Sequence, residues 1–115
     1  MSQDLRSLGS SLDNISGTAY PVYLRRHSDG LVSAIFPQFS FGIGAGMTEY
    51  EALEDAKYIL VIGLDSLVED SEEIPSPLTM EAAQELMREW SLNDVGVEVS
   101  WAEVEVEPEC LAEGQ

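Results

Sequence analysis

Three alternating glycines, Gly42, Gly44 and Gly46, stand just before a helix signal at Thr48. This is the arrangement in which a backbone loop can wrap a phosphate. The chemistry fails on inspection. A dinucleotide fingerprint would place its third glycine where Met47 stands, and a P-loop would need a Gly-Lys-Ser/Thr run at the helix start. Lys57 lies too far into the helix to serve. A helix N-terminus attracts anions, but Glu49 and Glu51 already occupy that field. Packing and turn roles account better for these glycines, whose alternation lets another element approach the backbone closely. His27 is the only histidine and falls in a turn, where a solvated polar residue is expected; no nucleophile is partnered with it in sequence. Cys110 is the only cysteine, so no intrachain disulfide or multi-thiolate metal site can form, and its acidic neighbours disfavour the thiolate. A calcium loop of the Asp-x-Asp-x-Asp-Gly type is missing, and nothing singles out two carboxylates as an acid–base pair. No catalytic residue, cofactor or metal is therefore expected.

The 115 residues suit one domain. The 22 acidic residues against 5 basic ones give a net charge of -17, which repels nucleic acid and attracts a basic partner. The N-terminus lacks a basic stretch followed by an apolar run, and the densest apolar stretch, residues 58–64, is too short to span a bilayer. A cytoplasmic protein that neither crosses a membrane nor binds nucleic acid directly is expected.

Residues 1–18 read as a flexible arm, residues 19–107 as one α+β domain and residues 108–115 as an acidic disordered tail. Ala19 to Arg26 alternates as a strand, with Tyr20, Val22 and Leu24 on one face; Pro21 must sit at its start or on an edge. His27-Ser28-Asp29-Gly30 forms a turn, Leu31 to Phe36 a central return strand ended by Pro37, and Phe39, Phe41, Ile43 and Ala45 alternate as a third strand. Thr48-x-x-Glu51 is a capping box opening a helix over residues 49–69. Leu53, Ala56, Leu60, Leu64 and Leu67 fall along its sheet-facing side. After an acidic connector with Pro75 and Pro77, Thr79 caps a short helix to Trp90, burying Ala83, Leu86, Met87 and Trp90. A last strand covers residues 95–106. Its apolar phase slips after Trp101, which predicts a bulge. The fold class is thus a three-stranded antiparallel sheet followed by a long helix, a short helix and a C-terminal strand.

The order of short motifs resembles the HicB-type antitoxin family of toxin–antitoxin systems. The resemblance rests on Tyr20-Pro21, Asp29-Gly30, Phe36-Pro37, Gly46-Met47-Thr48, Glu51-Ala52 with Ala56, Ile74-Pro75-x-Pro77 and the final strand, over residues 19–106. It implies a partial RNase H-like domain without RNase H catalytic residues. It also implies a small basic ribonuclease toxin of HicA type as partner, with the toxin's RNA-binding and catalytic surface covered, and a homo-oligomer, dimer or tetramer. Many members carry a C-terminal DNA-binding segment; the acidic end of this chain holds no basic counterpart, so operator binding is not expected of it.

The outer side of the long helix aligns Glu51, Glu54, Asp55, Tyr58, Ile62, Asp65 and Glu69. A tyrosine and an isoleucine one turn apart, rimmed by carboxylates, have the make-up of an interface anchor with a polar rim. Cover by the last strand or the N-terminal arm is the alternative. The partner-binding residues read from the sequence are Glu51, Asp55, Tyr58, Ile62 and Glu69, in an antitoxin-like, non-enzymatic protein. A stand-alone oligomeric scaffold or small-ligand regulatory domain is the alternative function. A hydrolase with an RNase H-like site would need carboxylates at strand ends, where the first three strands offer only Asp29.

Overall fold

The computed structural model describes residue 15 and residues 17–94 and 96–107. Most of the expected arm, Val95 and the expected tail with Cys110 lie outside the described residues. The elements run β1 (Ala19–Arg26), β2 (Val32–Ile35), β3 (Ile43–Gly46), α1 (Glu49–Glu69), α2 (Met80–Leu86), α3 (Arg88–Asn93) and β4 (Glu98–Glu105). The sheet has four strands rather than three, in the antiparallel order β3-β2-β1-β4. The last strand does not stand apart from the first three; it pairs along the whole of β1, from Ala19↔Glu105 to Arg26↔Glu98.

β1 therefore lies inside the sheet, although it contains a proline. Pro21 is tolerated because β2 pairs only with Tyr23 to Arg26; at Pro21 the strand has a single neighbour, β4. The turn after β1 closes through hydrogen bonds from the Gly30 N–H to the His27 carbonyl (2.9 Å) and from the Leu31 N–H to Asp29 Oδ1 (3.0 Å), with Gly30 at φ 95°. Glycine adopts that positive φ without steric cost.

α1 lies across one sheet face. Ala52, Ala56, Leu60, Val61, Leu64 and Val68 are buried, and most of them join Tyr20, Val22, Leu24, Val32, Ala34, Phe36, Val104 and Val106 in the main core. Leu53 and Leu67, expected on the same side, pack at its margin. Small residues let helix and edge strand meet at backbone distance. A Cβ on Gly44 would lie 2.8 Å from both the Ala52 carbonyl oxygen and the Ala56 nitrogen. Gly44 and Gly46 thus serve helix–strand packing.

The expected third strand begins later than its alternation suggests, at Ile43 rather than Phe39. Gly42, at φ 145°, takes a conformation that side chains rarely adopt and breaks the alternation. Phe39 and Phe41 do not project on one strand face; their rings stack on each other at 4.4 Å and pack beside the core. The connector after α1 is held from the same loop. The Gln38 amide donates to the Ser76 carbonyl (2.9 Å) and accepts from the Leu78 N–H (3.0 Å), and the Tyr20 hydroxyl donates to the Pro75 carbonyl (2.7 Å).

α1 ends in a Schellman motif: the Ser71 N–H donates to the Val68 carbonyl and the Glu72 N–H to the Leu67 carbonyl. Ser71 holds the left-handed position at φ 60°. That position is normally glycine's. Ser71→Gly is expected to raise stability by about 0.5–1 kcal/mol in urea unfolding, because the new residue adopts that conformation without a Cβ penalty.

Two further expectations are corrected. The short helix is two pieces, because Met87 (φ -98°, ψ 12°) interrupts it. Ala83 and Met87 are buried as expected, but Leu86 (56% exposed) and Trp90 (48%) are not. The predicted bulge is not present either: β4 keeps an unbroken register with β1. The apolar phase changes because the sheet face being covered changes. Ala102, Val104 and Val106 face the α1 core, whereas Trp101 sits on the opposite face against Tyr23, with ring centroids 5.1 Å apart.

Candidate functional site: an apolar groove on the outer face of α1

The inward positions of α1 leave Tyr58 and Ile62 pointing away from the sheet. They are 42% and 43% exposed, so no described strand or loop covers them. Beside them lies a groove of about 400 Å³, walled by Phe41, Tyr58, Ile59, Ile62, Gly63 and Leu67, with Ser66 among its lining residues. Gly63 explains the groove's shape. It sits mid-helix, where glycine costs about 1 kcal/mol relative to alanine, and the Phe41 ring occupies the space a Cβ would fill. The glycine seats an aromatic ring on the helix, and that ring becomes one wall. Helical spacing in the sequence identifies Tyr58 and Ile62 but misses Phe41 and Gly63. The signal available was a glycine inside an otherwise strong helix.

The acidic members of the stripe differ in what they do. Glu51 Oε1 accepts from the Met47 N–H (2.9 Å) while Thr48 Oγ1 accepts from the Glu51 N–H (3.1 Å). Glu51 therefore works in the helix cap. Asp55 Oδ2 accepts from the Ala45 N–H (3.0 Å). This satisfies a donor on the outer edge of the sheet. Both side chains remain exposed. Glu69 is exposed in the last turn of α1, which contains no basic residue. A carboxylate there opposes the helix dipole. Lys57 is tied to Glu54 (3.2 Å) and Glu107 (3.3 Å). Burial works against its charge, but these two carboxylates outweigh it and raise its pKa. The stripe Glu51–Asp55–Tyr58–Ile62–Glu69 is thus one continuous helix face, with its two apolar members at the groove.

A chain in a toxin–antitoxin complex shares this fold. The solved structure is described as a toxin–antitoxin complex from Streptococcus pneumoniae; the likeness has a TM-score of 0.55 and 20% sequence identity, and covers 76% of this chain and 68% of the other. At that identity it establishes the fold. No protein-family model matches the chain, and no curated protein matches it.

The opposite sheet face carries a polar cluster that the sequence shows only as a turn. Asp94 accepts from the Tyr23 hydroxyl (2.7 Å) and, through both oxygens, from Arg25 (3.1 and 2.8 Å). Arg25 also lies over the Trp90 ring, 5.9 Å from its centroid. That is within cation–π range. Hydrogen bonding to Arg25 is the main cause holding the Asp94 pKa below its ordinary value. Burial, then the Asp94 hydrogen bond and charge, push the Tyr23 phenol up to about 12. His27 is not free in solvent: its Nε2 and Ser33 Oγ share a 3.0 Å hydrogen bond. The bond satisfies the hydroxyl of a buried serine. Among the described residues, no three His, Cys, Asp or Glu side chains converge as a metal site would require. No helix among them is long and apolar enough to cross a membrane.

The Asp94 cluster locks α3 to β1. Asp94→Asn is expected to cost about 1–3 kcal/mol in urea unfolding near neutral pH, because it weakens a charge-assisted pair in a mostly buried setting. The folded-state pKa is depressed, so the stabilisation is present above the ordinary aspartate range and is lost as pH falls through the folded value. The gap between wild type and variant should therefore shrink on acidification below the ordinary aspartate range. A constant gap down to the lowest measurable pH would contradict this assignment.

Proposed function

We propose that this chain is a cytoplasmic, non-enzymatic, antitoxin-like binding protein. It neutralises a small basic ribonuclease toxin of HicA type by covering the toxin's RNA-binding and catalytic surface. The HicB-type identity and the partial RNase H-like character of the domain belong to the same reading. The observation that carries it is the shared fold with a chain of a toxin–antitoxin complex. The net charge of -17 supports the antitoxin side of such a pair, since a negative surface suits a site built for RNA phosphates. The partner-binding residues in this reading are Glu51, Asp55, Tyr58, Ile62 and Glu69.

The test is a search of the neighbouring genes for one encoding a small basic protein and co-expression with its product, followed by affinity capture and an RNA-cleavage assay. A stoichiometric complex that no longer cleaves RNA is the expected result; undiminished cleavage at excess of this chain would refute the reading. Charge should act mainly on encounter. Raising salt from about 50 to 500 mM is expected to slow association by at least about tenfold while changing dissociation far less, as measured by surface plasmon resonance.

A second reading, a stand-alone oligomeric scaffold, draws on the surface away from α1. Ile43, Trp90, Leu92 and Val99 are exposed there, apolar surface that a second copy could cover. Light scattering of the chain alone distinguishes a monomer from a dimer or tetramer.

A further inference from the structure

Resting on the antitoxin-like reading, we infer that the Gly63 groove is a socket for one bulky apolar side chain, carried on a Lys/Arg-flanked segment of the basic partner. The groove offers apolar walls of Phe41, Tyr58, Ile59, Ile62 and Leu67. Two of those walls are aromatic rings able to stack on or meet the edge of an incoming ring. Its volume of about 400 Å³ has room for a complete aromatic side chain and part of its neighbour. The charges around it are of one sign. Asp55 precedes Tyr58 by one helical turn, Asp65 follows Ile62 by one turn, and Glu69 follows a turn later. The groove lining contains no Lys or Arg.

Charge complementarity selects the occupant. A second copy of this chain would set its own carboxylates against these, a like-charge contact, and an acidic peptide would do the same. A cationic flank instead relieves carboxylates that oppose the dipole at the C-terminal end of α1. The apolar anchor supplies slow dissociation and the flanking cations supply the rapid, salt-sensitive encounter.

Three synthetic peptides test the socket against the ¹⁵N-labelled full chain: Lys-flanked with a central Trp, Lys-flanked with a central Ala, and Glu-flanked with a central Trp. The first is expected to shift the amide signals of Tyr58, Ile62, Gly63 and Ser66 and to bind at least about tenfold more tightly than the other two. Equal binding by the two Lys-flanked peptides, shifts confined to another face, or no binding by any peptide would overturn the inference. Ser66→Trp, at an exposed position, fills the groove and should abolish the difference; Ile62→Asp is the second variant should the first misfold. A basic toxin captured equally well by wild type and by the groove-filled variant overturns the socket and leaves the antitoxin reading standing. A toxin captured by neither overturns both.

Discussion

Replacing Tyr58 and Ile62 together with alanine is expected to weaken binding of a basic ribonuclease toxin by about 30- to 1,000-fold, or roughly 2–4 kcal/mol, in a calorimetric titration. Both side chains already stand outside the core, at 42% and 43% exposure. More than half of each is nevertheless covered, so their removal should cost about 1–2 kcal/mol in urea unfolding without emptying the core. In the proposed complex they would form the desolvated centre of an interface with a carboxylate rim, and truncation at such a centre is costly. The acidic neighbours should behave differently. Glu69→Gln is expected to lower the association rate and its salt dependence with little effect on dissociation. Asp55→Asn would also disturb the Ala45 hydrogen bond, so its effect mixes stability with binding. Unchanged affinity of the Tyr58/Ile62 double variant, with the fold intact, would remove the α1 face from the toxin interface.

Gly44→Ala is expected to destabilise the domain by about 2–4 kcal/mol, a large share of the roughly 5–15 kcal/mol that holds a typical domain together. The added methyl would meet backbone rather than side chain: the Ala52 carbonyl oxygen and the Ala56 nitrogen at 2.8 Å, and the Ala56 Cα at 3.0 Å. Backbone atoms cannot rotate aside, so α1 as a whole must lift from β3. Ala45, next in the strand, is exposed and points the other way. Ala45→Thr should change stability by no more than about 0.5 kcal/mol. Comparison of the two urea midpoints checks the packing of the edge strand under the helix; equal midpoints would show that α1 is not seated on Gly44.

Local rules suffice where one element answers to its own period. The bounds of β1 follow from the sequence because Tyr20, Val22 and Leu24 alternate without interruption and a turn follows. Those of α1, residues 49–69, follow because a Thr48/Glu51 cap and a regular apolar side mark it. The misreadings arise where two elements compete. Phe39 and Phe41 match a strand pattern, yet packing across Gly63 draws Phe41 onto the helix, and Gly42 permits the bend. In β4 the change of apolar phase looks like a bulge when the strand is considered alone. It is an ordinary strand in which Ala102 and Val104 face the α1 core while Trp101 packs on Tyr23 across the opposite face and Val99 stays exposed. Leu86 and Trp90 follow helical spacing, but the helix breaks at Met87 and both side chains stay exposed.

The candidate site divides in the same way. That Glu51, Asp55, Tyr58, Ile62 and Glu69 share one face follows from about 100° of rotation per residue, a property of the chain itself. The strongly negative charge is likewise set by composition. Tertiary contacts alone decide that the face carries a groove, because one wall is contributed by Phe41, several helical turns' worth of chain before Gly63. They also decide that Asp94 binds Tyr23 and Arg25, which stand 71 and 69 positions earlier, and that the last strand joins beside the first. Periodicity reports only on neighbours within a few residues; contacts between distant segments depend on how whole elements stack, and no local pattern encodes that.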